Sequence, residues 1–253
     1  MDLTFVRVDD RKTSLKNIAD ILVRIKERMM SGIAGVAVEA KTQIGKLLIS
    51  RGNILVKLEV NLVGRGTYAE PQKVILCERA QEQFDAFVEM KMVPFGQLYG
   101  GKICAALDRQ HPRDLFDVKY LLENEGFSNE VKKGFIYCLL GSERPIYEML
   151  NPHRLDQRDA LSNQFDGMTE ETFTYADYED TRERMIRLVL DSLTQTDREF
   201  MIGFKRLKPD WSIYPYEQYP SVQWKLLNLH KLKDGNPRKH EEQLIRLTDF
   251  LQT

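Results

Sequence analysis

Charged groups that could handle phosphate are concentrated between residues 102 and 117. Lys102 is followed by His111-Pro112 and then by Arg113-Asp114-Leu115-Phe116-Asp117. On a helix Asp114 and Asp117 fall close to one face with Val118 and Leu121, mixing acids with apolar residues. A lysine on the preceding helix, set against such acids, makes a Lys/Asp pair able to bind a triphosphate and steer a proton. The bland alternative is an Arg113–Asp117 surface ion pair at i and i+4, worth a few tenths of a kcal/mol, beside a solvated Lys102.

A second set lies on predicted strands. In Ile54-Leu-Val-Lys-Leu-Glu-Val-Asn-Leu62 the apolar Ile54, Val56, Leu58, Val60 and Leu62 share one face, and Lys57, Glu59 and Asn61 share the other. Taken alone this is a half-buried strand with a solvated polar face. Asp2 lies opposite Leu3 and Phe5 on the first strand. An acid there, beside an acid on a neighbouring strand, is how a sheet holds a divalent metal, because carboxylate oxygens are hard ligands suited to Mg²⁺.

Other motifs offer less. Gly96-Gln-Leu-Tyr-Gly-Gly101-Lys102 fits G-x-x-x-x-G-K, but Ile103 stands where a P-loop needs Ser or Thr on Mg²⁺. Leu98 and Tyr99 add bulk where phosphate needs the backbone, so the match reads as coincidence and Lys102 as part of a helix starting near Phe95. The histidines, His111, His153, His230 and His240, show no metal spacing and no triad partner. Trp211, Tyr214, Tyr216 and Tyr219 could stack bases near the basic run Lys231–His240; packing of a loop onto a helical domain is the favoured reading.

The elements that must position these residues change character along the chain. Strand patterns cover Leu3–Val8, Gly35–Ala40, Gly45–Ser50, Ile54–Leu62, Lys73–Cys77 and Phe87–Val93, with one helix at Thr13–Met30 and a hairpin turn at Gly52-Asn53. From Pro94 onward only helical patterns remain: Phe95–Asp108, Arg113–Asn124, Asn129–Leu140, Glu143–Leu150, Tyr178–Leu193, Asp197–Lys205, Ser221–Leu232 and Arg238–Leu251. Thr196-Asp-Arg-Glu199 reads as a capping box. The expected division is an α/β domain over 1–93 and a helical domain over 94–253.

Composition bounds the function. The chain has 253 residues, 42% hydrophobic and 30% charged, with 37 basic against 38 acidic side chains. A net charge of −1 excludes coating of nucleic acid by bulk charge while leaving a local basic patch open. Three cysteines without zinc spacing imply a reducing, cytoplasmic setting. No apolar run approaches the ~18 residues of a membrane span.

The stretch Val93 to Asp117 resembles the AbiEii-type nucleotidyltransferases, toxin halves of abortive-infection toxin–antitoxin systems related to the MenT toxins. The carrying residues are Lys102 and Arg113-Asp-Leu-Phe-Asp117 at the family's spacing. Met1-Asp-Leu-Thr-Phe5 is similar to the second half of the family's Asp-x-Asp-Leu motif, and Val56-Lys-Leu-Glu-Val60 to its third acidic strand. Asp210-Trp211 and Trp224-Lys-Leu-Leu-Asn228 are similar to its helical region. The resemblance implies an α+β fold: a DNA polymerase β-like nucleotidyltransferase mixed sheet with a helical C-terminal domain. It implies transfer of a nucleotide from an NTP to an acceptor, tRNA for some relatives, with Mg²⁺ or Mn²⁺, and an antitoxin partner. The catalytic set would be Asp2, Lys102, Asp114 and Asp117, with Asp114 and Asp117 not told apart. Asp2 and Glu59 would hold metal, and Lys57, Lys102 and Arg113 would bind nucleotide. The family's Gly-Gly-Thr/Ser motif and first aspartate fall upstream of Met1, so the α/β domain is expected to be N-terminally incomplete. The alternative expectation is therefore a truncated, inactive family member that binds nucleotide or antitoxin.

Overall fold

The structure is a computed structural model and describes residues 1–252. The chain divides into two compact units, one of residues 1–67 with 218–221, the other of residues 68–217 with 222–252.

The first unit is a four-stranded sheet under one long helix. Strand β1 is Asp2–Leu3, helix α1 Arg11–Gly32, β2 Ala37–Lys41, β3 Lys46–Arg51 and β4 Ile54–Val60. The order across the sheet is β1-β4-β3-β2, with β1 parallel to β4 and the other pairs antiparallel. Asp10 starts α1 by accepting the Thr13 N–H at 3.0 Å. Ile18 and Leu22 of α1 then bury against Val38, Leu47 and Ile49, with Leu58, Val60 and Leu62 packed alongside. Each such side chain contributes about 1.5–3 kcal/mol of burial. The β3–β4 hairpin turns at Gly52-Asn53, as expected, with Gly52 at φ +56°.

Two expectations for this unit are corrected. The first strand does not run to Val8. β1 pairs only with Glu59 and Val60, where β4 ends; the Phe5 carbonyl then accepts Gly66 N–H and the chain leaves the sheet. Nor is the apolar face of β4 continuous. α1 packs on β2 and β3, so Ile54 and Val56 stay exposed while Leu58 and Val60 join the core.

The second unit begins with strands β5 (Gln72–Ile75) and β6 (Glu89–Met92), an antiparallel pair joined through helix α2 (Glu78–Phe84). Then come α3 (Phe95–Arg109), α4 (Pro112–Asn124), α5 (Asn129–Leu140), α6 (Ile146–Leu150) and the single turn α7 (Arg158–Ala160), which runs into a π-turn at Leu161–Phe165. Helices α8 (Tyr175–Ser192), α9 (Gln195–Lys205), α10 (Pro220–Gly235, its first two residues counted with the first unit) and α11 (Pro237–Gln252) complete it. The sequence pattern places the long helices to within a few residues and misses α2 and the α7 turn.

The glycines of the G-x-x-x-x-G-K match are packing residues. Gly96 and Gly100 lie on α3 against Gly134 on α5; a β-carbon on Gly134 would land on the Gly96 carbonyl, and one on Gly100 would land on the Gly134 backbone. The reading of that motif as coincidence stands. The capping box of α9 is shifted: Thr194 caps and Asp197 reaches back, in place of Thr196 and Glu199. Asp197 is fixed there because it also accepts Lys132 Nζ at 2.9 Å and the Tyr214 hydroxyl at 2.6 Å. Tyr214, Tyr216 and Tyr219 are buried, and Trp211 packs edge-on against Phe200 and Phe204. The aromatic loop is a packing element, as favoured above.

Candidate functional site

The first unit supplies carboxylates. The parallel register sets Asp2 directly opposite Glu59, and Glu59 opposite Lys46 on β3. Residues paired across neighbouring strands point to the same side, so these three form one row on the sheet face away from α1. Lys57, paired with Leu48, stands on the same face one row along. Lys46 Nζ lies 2.5 Å from Glu59 Oε1, and this contact holds the Glu59 carboxyl below its usual range. Lys46 is the member of the row that the sequence pattern missed; its signal is the alternation of Lys46, Leu48 and Ser50 on β3.

The donor set bears on the implied metal. Two carboxylates side by side suit one Mg²⁺ or Mn²⁺, which takes one or two protein carboxylates and completes its shell with phosphate and water. Among the described residues no group of three or more His, Cys, Asp or Glu side chains could enclose an ion. The row therefore fits an open site for one hard cation.

The second unit supplies a cation on a rigid corner. α3 ends at Gln110, which turns the chain with φ +49°. Its side-chain amide donates to the His153 carbonyl at 2.6 Å and accepts from Leu155 N–H at 3.1 Å, and its carbonyl accepts the Tyr178 hydroxyl at 2.9 Å. His111 then caps α4, its Nδ1 accepting from Arg113 N–H at 3.2 Å, with Pro112 opening the helix. Gln110 is a positioning residue that no motif flagged. The signal available was only the Gln-His-Pro turn between two helical patterns.

This corner lays α4 back along α3 and brings Lys102 to Asp117, Nζ to Oδ2 at 2.5 Å. The Lys102 and Asp117 side chains are 34% and 42% exposed, so the pair faces solvent. Asp114 does not share it. Its two oxygens accept a fork from Arg109, Nε at 2.5 Å and Nη2 at 2.7 Å, and its side chain is only 9% exposed. The two aspartates that sequence left equivalent thus have different partners. Arg113 is exposed and forms no ion pair among the described residues, so the i, i+4 pair with Asp117 does not form.

Asp2 and Glu59 belong to the first unit and Lys102, Arg113, Asp114 and Asp117 to the second. Within each unit the expected neighbours meet: Asp2 with Glu59, and Lys102 with Asp117. His111 is a helix cap, and His240 is buried with its ring against the Lys205 carbonyl at 3.1 Å. Cys77, Cys104 and Cys138 are free thiols. No helix among the described residues is long and apolar enough to cross a membrane.

No curated protein sequence matches the chain. Among solved structures, MenT4, a nucleotidyltransferase toxin from Mycobacterium tuberculosis, superposes with a TM-score of 0.57 at 14% identity, over 90% of this chain and 77% of that one. At that identity the likeness shows the fold, and the fold is the α+β class expected above: a mixed sheet with a helical remainder. The family described as nucleotidyl transferase AbiEii toxin of type IV toxin–antitoxin systems matches residues 1–228, and to that family this chain belongs.

Proposed function

We propose that this chain transfers a nucleotide from an NTP to the 3′ end of an RNA, tRNA being the favoured acceptor, as the toxin of a cytoplasmic toxin–antitoxin pair serving phage defence. The observation that carries the reading is the register of Asp2 against Glu59, which sets two hard-ligand acids side by side on an open sheet face. The family supplies the reaction class and the antitoxin counterpart. The acceptor, the metal and the residue roles are our reading.

In the proposed reaction the acceptor hydroxyl oxygen attacks the α-phosphorus, the bond to the β-phosphate oxygen breaks, and pyrophosphate leaves. Asp2 and Glu59 would hold the divalent ion, which supplies charge neutralisation at the phosphates when bound. Lys46, which pairs with Glu59, is a further ammonium beside that row that would serve phosphate. Lys102, with Lys57 and Arg113, grips phosphate. Asp117 aims the Lys102 ammonium and, as the exposed one of the two aspartates, is the one we assign to the acceptor proton. Asp114 serves the corner through Arg109.

Radiolabelled NTPs incubated with the chain, Mg²⁺ or Mn²⁺ and total tRNA test this. Label in tRNA that depends on the metal and is lost in Lys102→Met and Glu59→Gln supports it. A second reading is a nucleotide- or antitoxin-binding protein without transfer. It is favoured by the Lys46–Glu59 pair, which leaves Asp2 as the one carboxylate of the row free of an ion pair among the described residues. NTP binding by calorimetry with no label in RNA would select it.

A further inference from the structure

Helix α10 has two different sides. Val222 and Leu229 are buried on one, where the Lys225 ammonium donates to the Ser142, Glu143 and Arg144 carbonyls. Trp224 and Leu227 face solvent on the other, 46% and 45% exposed. Asn228 and Lys231 continue that stripe by helical spacing and are also exposed. Lys231 Nζ sits 5.8 Å from the centroid of the Trp224 ring.

Charge separates the classes of partner. In a chain that is 30% charged, no Asp or Glu occurs from Gln218 through Lys233; the first carboxylate is Asp234, at the end of the helix. A half-exposed ring beside an ammonium that forms no ion pair among the described residues, on a helix face without acids, is the pairing of stacking platform and phosphate contact that single-stranded nucleic acid uses. A protein partner would favour a wider apolar centre than one ring and one leucine. The other aromatic residues near this helix, Trp211, Tyr214, Tyr216 and Tyr219, are consumed by packing, which leaves Trp224 as the available ring. The family match ends at residue 228, so Trp224, Leu227 and Asn228 lie inside it and Lys231 lies beyond it.

We propose that the Trp224–Leu227–Asn228–Lys231 stripe of α10 is a docking surface for single-stranded RNA, on which one base stacks on Trp224 while Lys231 meets the adjoining phosphate. The proposal deepens the reading of RNA as acceptor and rests on it for its role in the reaction.

The test is fluorescence anisotropy with a fluorescein-labelled, mixed-sequence single-stranded RNA of about twelve nucleotides, on the full chain and three variants. Trp224→Ala should weaken binding about tenfold or more, and Trp224→Phe should restore most of it, because stacking needs only a ring face. Lys231→Gln should weaken binding and lower the slope of log affinity against log salt by about 0.7. These positions are exposed, so circular dichroism should show parent-like folds. In a Trp211→Phe background Trp224 is the sole tryptophan, and its emission should be quenched by the RNA. Unchanged affinity in both Trp224→Ala and Lys231→Gln overturns the surface, as does a parent chain that binds no RNA. A stripe that serves a protein gives that same unchanged affinity. If the stripe binds RNA as described but the parent places no label in tRNA, the transfer reading falls and the surface stands. If label enters tRNA equally in parent and variants at limiting RNA, the surface falls and transfer stands.

Discussion

Asp114 and Asp117 lie three residues apart on one helix, and exchanging each for asparagine should produce opposite phenotypes. Asp117→Asn keeps shape but removes the charge that holds Lys102 Nζ at 2.5 Å. Both side chains are more than a third exposed, so water already screens the pair, and its stability value is that of a surface ion pair, about 0.2–1 kcal/mol. Thermal midpoint should therefore barely move. Function should move more. An unaimed ammonium loses a charge-assisted bond to phosphate, and removing one such stabilising group costs roughly 10²–10³ in turnover. Lys102→Met should show the same split, with a larger fall in NTP affinity than any other single lysine exchange.

Asp114→Asn reverses the balance. The carboxylate is nearly buried and takes both arms of the Arg109 fork. Asparagine keeps one acceptor and sets an amide N–H against the guanidinium, so the variant should lose about 1–3 kcal/mol of stability, the range for disrupting a hydrogen bond to a charged group at a nearly buried acceptor. Turnover of the fraction still folded should stay within a few fold of the parent. Denaturant unfolding gives the first quantity, and calorimetric NTP binding with label incorporation gives the second. An Asp114→Asn chain that keeps its unfolding midpoint but loses NTP binding would refute the assignment, as would an Asp117→Asn chain with parental affinity and turnover.

Three further outcomes are expected. Gly134→Ala should fail to fold or unfold at much lower denaturant, because the added methyl lands on the Gly96 backbone where neither helix can yield; Gly101→Ala, whose new carbon would meet only Cys138 Sγ at 3.8 Å, should be tolerated. Burial pushes the Lys205 ammonium down to about 8, against about 10.4 in an unfolded chain, so between those values the unfolded state binds the extra proton and stability rises with pH. Lys205→Met should remove that rise, worth up to about 3 kcal/mol, and should gain most over the parent below pH 8; equal pH slopes in parent and variant would exclude it. Asp2→Asn should weaken binding of Mn²⁺ in the presence of NTP, read by paramagnetic relaxation of water protons, while leaving thermal stability within about 0.5 kcal/mol because Asp2 is exposed.

The parts of this chain that sequence predicts well are those governed by local periodicity. The Ile18–Leu22–Ile25 spacing of α1, the period-2 alternation of β3 and the two-residue turn at Gly52-Asn53 each fix their element without reference to distant residues. Asp2 and Glu59 could be placed on one sheet face by alternation alone. Their meeting needs a register between strands 57 residues apart in pairing, Asp2 with Glu59, which no local rule gives. The split between Asp114 and Asp117 was illegible for a related reason. Both sit on nearly the same face of α4, and what separates them is the stagger of α4 against α3. That stagger is set by a positive-φ glutamine whose amide is tied to residues 153 and 155 and whose carbonyl is tied to Tyr178. Glutamine has no turn signature, and its partners lie more than forty residues on, so the corner that aims the lysine could be read only in three dimensions. The same holds for Gly96 and Gly100: their spacing looks like a phosphate loop in sequence, and only the approach of Gly134 shows that two helix backbones, not a phosphate, occupy the space those glycines leave open.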